Sequence, residues 1–370
     1  MGVSPAFRKV KESMSTVGLS RKHLPVMISI VIIGLILFFI LRARASETHY
    51  HQASSYVPGK DNQTARKIVI GFHIIDCSSI DLRNGAFNAE FYYWLRYNAD
   101  GGDAKTIERL DFVNGHLDLQ EEQERKRIFD ETYVVFKAKG TFRFDPNLRT
   151  YPFDSQRLPL QVEHSVYDRD NVVFVDDVKS YARSGHPQQW SLRESLRIPE
   201  YEITSVSRSI SDIVYNTDFG DYTAPSADSV YSRFSVSLTI ERISWPYLFK
   251  IILPLCVILL MGYLMFLLPP KEIQGAIAIS MSALLSCIAF EVTISQGLPA
   301  VGYLITSDKF FIIAYGLLSM NLGASIWAYR LCDANRVGEA QALYALCRRM
   351  FPVLFVLSFS YVIIDGFCQL

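Results

Sequence analysis

The sequence predicts two parts of different class: an all-β domain, sandwich or barrel, followed by an all-α domain of four transmembrane helices. Three observations carry this. First, charge is partitioned. The 370 residues hold 37 basic and 37 acidic side chains and no net charge. Yet from Trp245 to Tyr329 the charged residues are only Lys250, Lys271, Glu272, Glu291, Asp308 and Lys309, whereas Ser46–Arg242 is dense in both signs. Second, long apolar runs crowd the C-terminal third, each close to the ~20 residues that cross ~30 Å of hydrocarbon. Third, the charged part holds short runs rich in β-branched and aromatic residues, bounded by Gly, Pro, Asn and Asp. The neutral balance gives no global attraction to nucleic acid.

Taken in order, residues 1–45 form a basic leader and an apolar run, Val26–Leu41. Arg8, Lys9, Lys11, Arg21 and Lys22 precede it and hold its start in the cytoplasm. It reads either as a signal peptide, with Ala43-Arg44-Ala45 as a cleavage site, or as an uncleaved anchor. Arg42 and Arg44 are unusual beside a cleavage site. Either reading exports the charged part of the chain. Residues 46–65, with His49, His51, Pro58 and Gly59, read as a linker. The sequon Asn62-Gln63-Thr64 is of a kind that recurs by chance.

Residues 66–243 read as β-structure. Ser235–Ile240 alternates strictly, as a half-buried strand should. Ile68–Ile75, Tyr133–Phe136, Thr141–Phe144 and Val172–Val175 are further strands, and the charged segment Leu119–Arg127 reads as a solvated face or loop. Short strands at this spacing suggest a sandwich or barrel.

Residues 244–370 form the membrane domain, with helices expected at about 245–268, 273–295, 309–330 and 350–367. Pro254 lies inside the first, Pro269-Pro270 break the chain after it, and Pro299 separates the second from the third. With 46–243 outside, the 330–349 loop is inside and carries Arg330, Arg336, Arg348 and Arg349, as the positive-inside rule requires. The expected location is the plasma (inner) membrane, multi-pass.

Of the six cysteines only Cys77 lies in the charged part, so no disulfide closes within it. No metal-ligand spacing, phosphate loop, G-x-S-x-G or nucleophile–base pair is present, so we expect no metal, no cofactor and no enzyme activity. The second helix carries a stripe at helical spacing: Gln274, Ala278, Ser282, Leu285, Ala289, Val292 and Gln296. It suits a water-facing pore wall, with Leu285 able to form an apolar gate. Small residues also permit close helix packing in lipid, and the stripe alone does not decide between the two.

Tyr151-Pro152-Phe153-Asp154-Ser155-Gln156 resembles the aromatic-Pro-Phe-Asp-x-Gln signature of the pentameric ligand-gated ion channels, or Cys-loop receptors. Arg242 ahead of Pro254, Leu298-Pro299 with Tyr303, and Asn114-Gly115 after Phe112-Val113 resemble further family features in the right order. The resemblance runs from about residue 66 to 367. The bracketing cysteines of animal members are replaced by Phe144 and Leu158, so the chain is similar to prokaryotic members lacking that disulfide.

The resemblance implies an extracellular or periplasmic immunoglobulin-like sandwich that binds ligand, and a homopentamer assembled with four further copies in membrane lipid. It implies a pore lined by the stripe, passing inorganic ions, with Leu285 as its gate. Glu272 and Glu291 would favour cations as rings of carboxylates, although Lys271 adjoins Glu272. Asp154, Arg242, Pro299 and Tyr303 would couple the two domains. The ligand site is expected to draw on Tyr92, Tyr167, Tyr215, Phe219, Tyr222 and Tyr231, whose faces attract cationic amines. The agonist is an unidentified small molecule or protons, for which His73, His116, His164 and His186 are candidate titrating groups. A non-channel receptor or adhesion module on a helical anchor is the alternative, and a transporter a further one, although no internal repeat supports it.

Overall fold

The computed structural model describes residues 65–98, 103–182, 191–220 and 228–368. The leader, the run Val26–Leu41, the sequon, His186 and Tyr222 lie outside them. The chain divides into two compact units, a β unit that takes in Phe153–Ile243 and the residues up to Asn147, and a helical unit that takes in Leu148–Pro152 and Ser244 onward.

The β unit is a sandwich. Its strands are β1 (Arg66–Asp81), β2 (Ala86–Asn98), β3 (Leu110–Phe112), β4 (Gly115–Ile128), β5 (Glu131–Arg143), β6 (Ser155–His164), β7 (Val172–Asp176), β8 (Tyr201–Tyr215) and β9 (Ser229–Arg242). One sheet has the order β4-β5-β2-β1-β7 and the other β3-β6-β9-β8. Among the described strands the β1–β7 pair is parallel and the others antiparallel. Alternation drives this arrangement. On β2, Phe87, Ala89, Phe91, Tyr93, Leu95 and Tyr97 are buried while their neighbours are not. Between the sheets, the ring of Phe72 on β1 stacks at 5.7 Å on Phe234 of β9, and Phe112 of β3 packs on Phe91, Tyr93 and Phe142.

The strand expectations meet three refinements. Tyr133–Phe136 and Thr141–Phe144 fuse into the single strand β5, because Gly140 carries the ladder between them. Leu119–Arg127 is not a loop: it is the exposed body of β4, an edge strand whose charge comes from having solvent on both faces. On β9 the expected half-burial is nearly complete burial. Ser235 and Ser237 are buried along with Val236, Leu238 and Ile240, since β9 lies between β6 and β8 and small side chains are shaded by them.

Asn114 fixes the sandwich locally. Its side-chain amide donates to the carbonyls of Arg143 and Pro159 at 2.9 and 2.7 Å and accepts from the Gln161 amide at 3.0 Å, so one residue satisfies three backbone groups on β5 and β6. Phe144 and Leu158, at the positions of the missing disulfide, are both buried in the same apolar core.

Among the described residues of the helical unit four helices are long and apolar enough to cross a membrane. They are α1 (Ser244–Leu264), α2 (Ile273–Ser295), α3 (Thr306–Asp333) and α4 (Val337–Cys368). The turn between α3 and α4 is short, and α4 begins at Val337 instead of the expected 350. Hydropathy marks the apolar span and not the helix. The polar stretch before Met350 is rich in Ala, Leu and Arg, good helix formers, and buries Ala340, Leu343 and Tyr344 at spacings of three and one. Aromatic contacts bind α4 to its neighbours: Phe359 with Phe310 at 5.2 Å and Phe351 with Tyr263 at 5.7 Å. Val353, Val356, Leu357 and Ile364 point outward, as a lipid-facing side would.

Candidate functional site

On α2 the two faces differ. Ala276, Ser280, Ala283 and Cys287, at helical spacing, are buried against the rest of the unit. The predicted stripe, Gln274, Ala278, Ser282, Leu285, Ala289, Val292 and Gln296, is exposed at every position, with Leu285 60% and Val292 52% accessible. Leu285 is thus the most open of the large apolar residues on the helix.

The two carboxylates differ in setting. Glu272 is exposed at the N-cap of α2 and makes no capping bond with its side chain. Glu291 is half-buried and accepts a hydrogen bond from the Tyr315 hydroxyl of α3. It therefore points toward α3, off the exposed stripe. Deeper in the unit, Lys309 of α3 and Asp365 of α4 pair at 2.9 Å, both nearly inaccessible. The sequence reading missed that pair, because its members lie 56 positions apart and no local pattern links them.

Asp154 and Arg242 come together within the β unit. The guanidinium binds the carboxylate through Nε at 2.7 Å and Nη2 at 3.1 Å, with Asp154 wholly buried and Arg242 7% exposed. Further bonds and a ring complete the knot. Gln156 donates to Asp154 at 2.7 Å, Arg242 donates to the Tyr201 hydroxyl at 2.5 Å, and its guanidinium lies 4.6 Å from the Tyr201 ring centre. The signature's Asp and Gln thus both serve one arginine. Gln156 acts through the carboxylate, and Tyr201, not foreseen, binds the arginine directly.

Tyr303 belongs to a separate cluster in the helical unit. Its hydroxyl accepts from the Leu148 amide at 3.0 Å, and Arg149 sits 5.2 Å over its ring. The amide and hydroxyl of Thr306 both donate to the Arg149 carbonyl at 3.1 Å. The segment before the signature, Leu148–Arg149, is therefore what Tyr303 holds. Pro299 is half-buried in the α2–α3 connection.

Of the six expected ligand residues, three gather. Tyr215, Phe219 and Tyr231 form mutual edge-to-face contacts at 5.6, 5.8 and 6.3 Å. Phe219 is 64% exposed and holds a left-handed backbone, φ 52°, in the turn after β8. Beside them Arg233 donates to Glu163 at 2.6 Å and to the Tyr215 hydroxyl at 2.9 Å, and that hydroxyl donates to the same carboxylate at 3.1 Å. Burial and the Glu163 charge push the Tyr215 phenol above its usual range, so it stays a donor. The one buried carboxylate near the aromatic group is therefore already neutralised by Arg233. Tyr167 packs on the His164 ring at 4.9 Å. Tyr92 is on β2 between His73 and Lys137, in the other sheet.

Among the expected histidines, His164 is the buried one, 3% exposed. Its Nδ1 accepts from the amides of Val166 and Tyr167, at 3.1 and 2.9 Å, while Nε2 has no hydrogen-bond partner of good geometry. Burial holds its pKa below the ordinary histidine value, so the neutral ring is favoured. His116 is exposed, 3.3 Å from Asp118.

A β-sandwich unit is followed in the sequence by four helices long and apolar enough to cross a membrane, one of which leaves a stripe of polar, small and apolar residues exposed. No protein-family model matches the sequence. Individual relatives do. A proton-gated ion channel of Gloeobacter violaceus is 21% identical over 314 residues, 78% of this chain and 80% of that protein. A gamma-aminobutyric acid receptor subunit beta of Caenorhabditis elegans is 21% identical over 205 residues, 54% of this chain and 34% of its own length. The glycine receptor subunit beta of Rattus norvegicus is 24% identical over 192 residues, 51% of this chain and 35% of its own length. The chain thus spans only about a third of the animal subunits. The sequence is thus similar, at 21–24% identity, to members of the pentameric ligand-gated ion channel superfamily. Those relatives and the four apolar helices fit a multi-pass membrane protein.

Proposed function

We propose that the chain is the subunit of a homopentameric ligand-gated channel whose pore is lined by α2 and passes cations. The observation that carries this is the exposure of the whole stripe from Gln274 to Gln296 while the opposite face of the same helix is buried. Close helix packing is already served by the small residues of the buried face, Ala276, Ser280 and Ala283. Here Ala278, Ser282 and Ala289 are left open beside Leu285, as a ring of five such faces around water requires. Leu285 would then close the path by dewetting.

Cation selectivity rests on Glu272. Its exposed position at the start of α2 lets five carboxylates face the inner mouth, whereas Glu291 is engaged by Tyr315. The expected result in ion-gradient recordings from purified protein in bilayers is a reversal-potential shift for Glu272→Gln larger than for Glu291→Gln. Unchanged reversal potentials in both would sink cation selectivity. Leu285→Ser should raise unstimulated current, and stepwise currents absent under every ligand and pH tried would defeat the channel reading itself. Subunit counting by image averaging should give five.

Two stimuli have specific support. The Tyr215–Phe219–Tyr231 group offers ring faces to an amine. The buried His164 offers a group that gains a proton when its surroundings open, and the relative matched over most of both chains is a proton-gated ion channel. Acid steps with and without His164→Gln, set against an amine panel with Phe219→Ala, separate them. Coupling would pass through the Asp154–Arg242 knot and the Tyr303 cluster. Arg242→Ala should silence gating while assembled protein persists.

A further inference from the structure

A groove of about 620 Å³ opens on the β unit. Its walls are the strap ahead of β8, with Leu192, Arg193, Glu194, Leu196 and Arg197, and the first residues of β8, Ile203–Val206. β8 is the edge strand of its sheet, and its register against β9 slips between Ile203 and Ser205. A slip of this kind turns an edge strand outward and is common beside binding sites.

The strap is held at both ends. Ser191, wholly buried, accepts a hydrogen bond from Arg208 at 2.8 Å. Leu192 bridges to Ile74 of β1, and the Arg193 amide donates to the Ile74 carbonyl at 2.9 Å. A turn brings the Leu196 amide to the Arg193 carbonyl at 2.9 Å, and Ile198 bridges to Tyr201. The strap thus runs from β1 of one sheet to β8 of the other. Its backbone is fixed while Arg193 and Arg197 stay exposed. Among the described residues neither guanidinium meets a carboxylate; Arg197 reaches only the carbonyl of its neighbour Leu196, at 3.1 Å. Elsewhere in the same unit, Arg125, Arg169, Arg208, Arg233 and Arg242 each have an acidic partner.

The floor is of opposite character. Leu196 and Val206 are buried, and Leu192 and Ile203 half-buried. Two uncommitted guanidinium groups on a rigid rim over an apolar floor suit an anionic head on an apolar body. The volume falls in the range of small-molecule sites, and planar guanidinium donors match a carboxylate in two parallel bonds. Glu194 on the same rim disfavours multiply charged anions and a phosphate more than a single carboxylate. We propose that this groove binds a small organic monocarboxylate, its head on Arg193 and Arg197 and its chain over Leu196, Ile203 and Val206.

The test uses the full chain in neutral-lipid nanodiscs and hexanoate as probe, with hexanol and acetate as controls, followed by calorimetry. Hexanoate should bind saturably and more tightly than either control. Arg193→Gln with Arg197→Gln should weaken it about tenfold, roughly 1.4 kcal/mol, and leave hexanol unchanged. Both side chains are exposed, so the variant keeps its fold; an unaltered melting temperature checks this. Equal hexanoate affinity in both proteins, or no saturable binding, overturns the proposal. So does a groove covered by a second copy, which would give binding only after the assembly is dissociated.

Discussion

Arg242 shows how much can depend on one residue. It is buried with Asp154, and each has been taken out of water for the other's sake. Removing one member leaves an uncompensated buried charge, which costs about 3–5 kcal/mol. Asp154→Ala should therefore lower the stability of the β unit by that order in denaturant titration, whereas Gln156→Ala, which removes one of several bonds to the carboxylate, should cost about 1–2 kcal/mol. His164 gives a pH dependence of known sign. Its folded-state pKa lies below the ordinary value of 6.5, so the unfolded chain takes up a proton first as pH falls. Above about 6.5 the residue contributes no pH dependence; below it, stability declines until the folded-state pKa is passed. Melting curves between pH 7.5 and 5 should show that decline, and His164→Gln should flatten it. Asp154 and Arg242 were legible because both stand in signature positions. Tyr201, Glu163, Arg233 and Lys309–Asp365 were not, since pairs that meet only through the fold leave no spacing to read.

Elements were legible to the degree that one period dominated them. The alternation of Ser235–Ile240 and the stripe of α2 each repeat at a single interval, and both elements appear where expected. β4 hid itself because neither face is buried, which removes the alternation that marks a strand. The early start of α4 was hidden by polarity. Close approach makes one prediction at this scale. A Cβ on Gly140 would lie 2.2 Å from the His116 carbonyl oxygen, in the backbone of the facing strand. Gly140→Ala must push β4 off β5, at about 1–3 kcal/mol, and hydrogen exchange should quicken along β4 before it does along β2.

At the scale of the whole chain, hydropathy alone separated the charged and apolar parts. The aromatic site was only partly legible. Tyr215 and Tyr231 come together because β8 and β9 pair antiparallel, with Phe219 just beyond the end of β8, and Tyr92 stays in the opposite sheet.

β4 raises a question of manufacture. A free strand edge is a template for another chain, and a membrane that concentrates many newly made copies brings such edges together. The row Glu121, Glu122, Glu124, Arg125, Lys126 and Arg127 leaves the outer border of the sheet wet and charged along nearly its whole length. Replacing those side chains with Thr and Val should leave the folded subunit intact yet lower the yield of dispersed particles on extraction. The charges would then matter most during synthesis, keeping nascent copies apart until they meet by the surfaces meant for it.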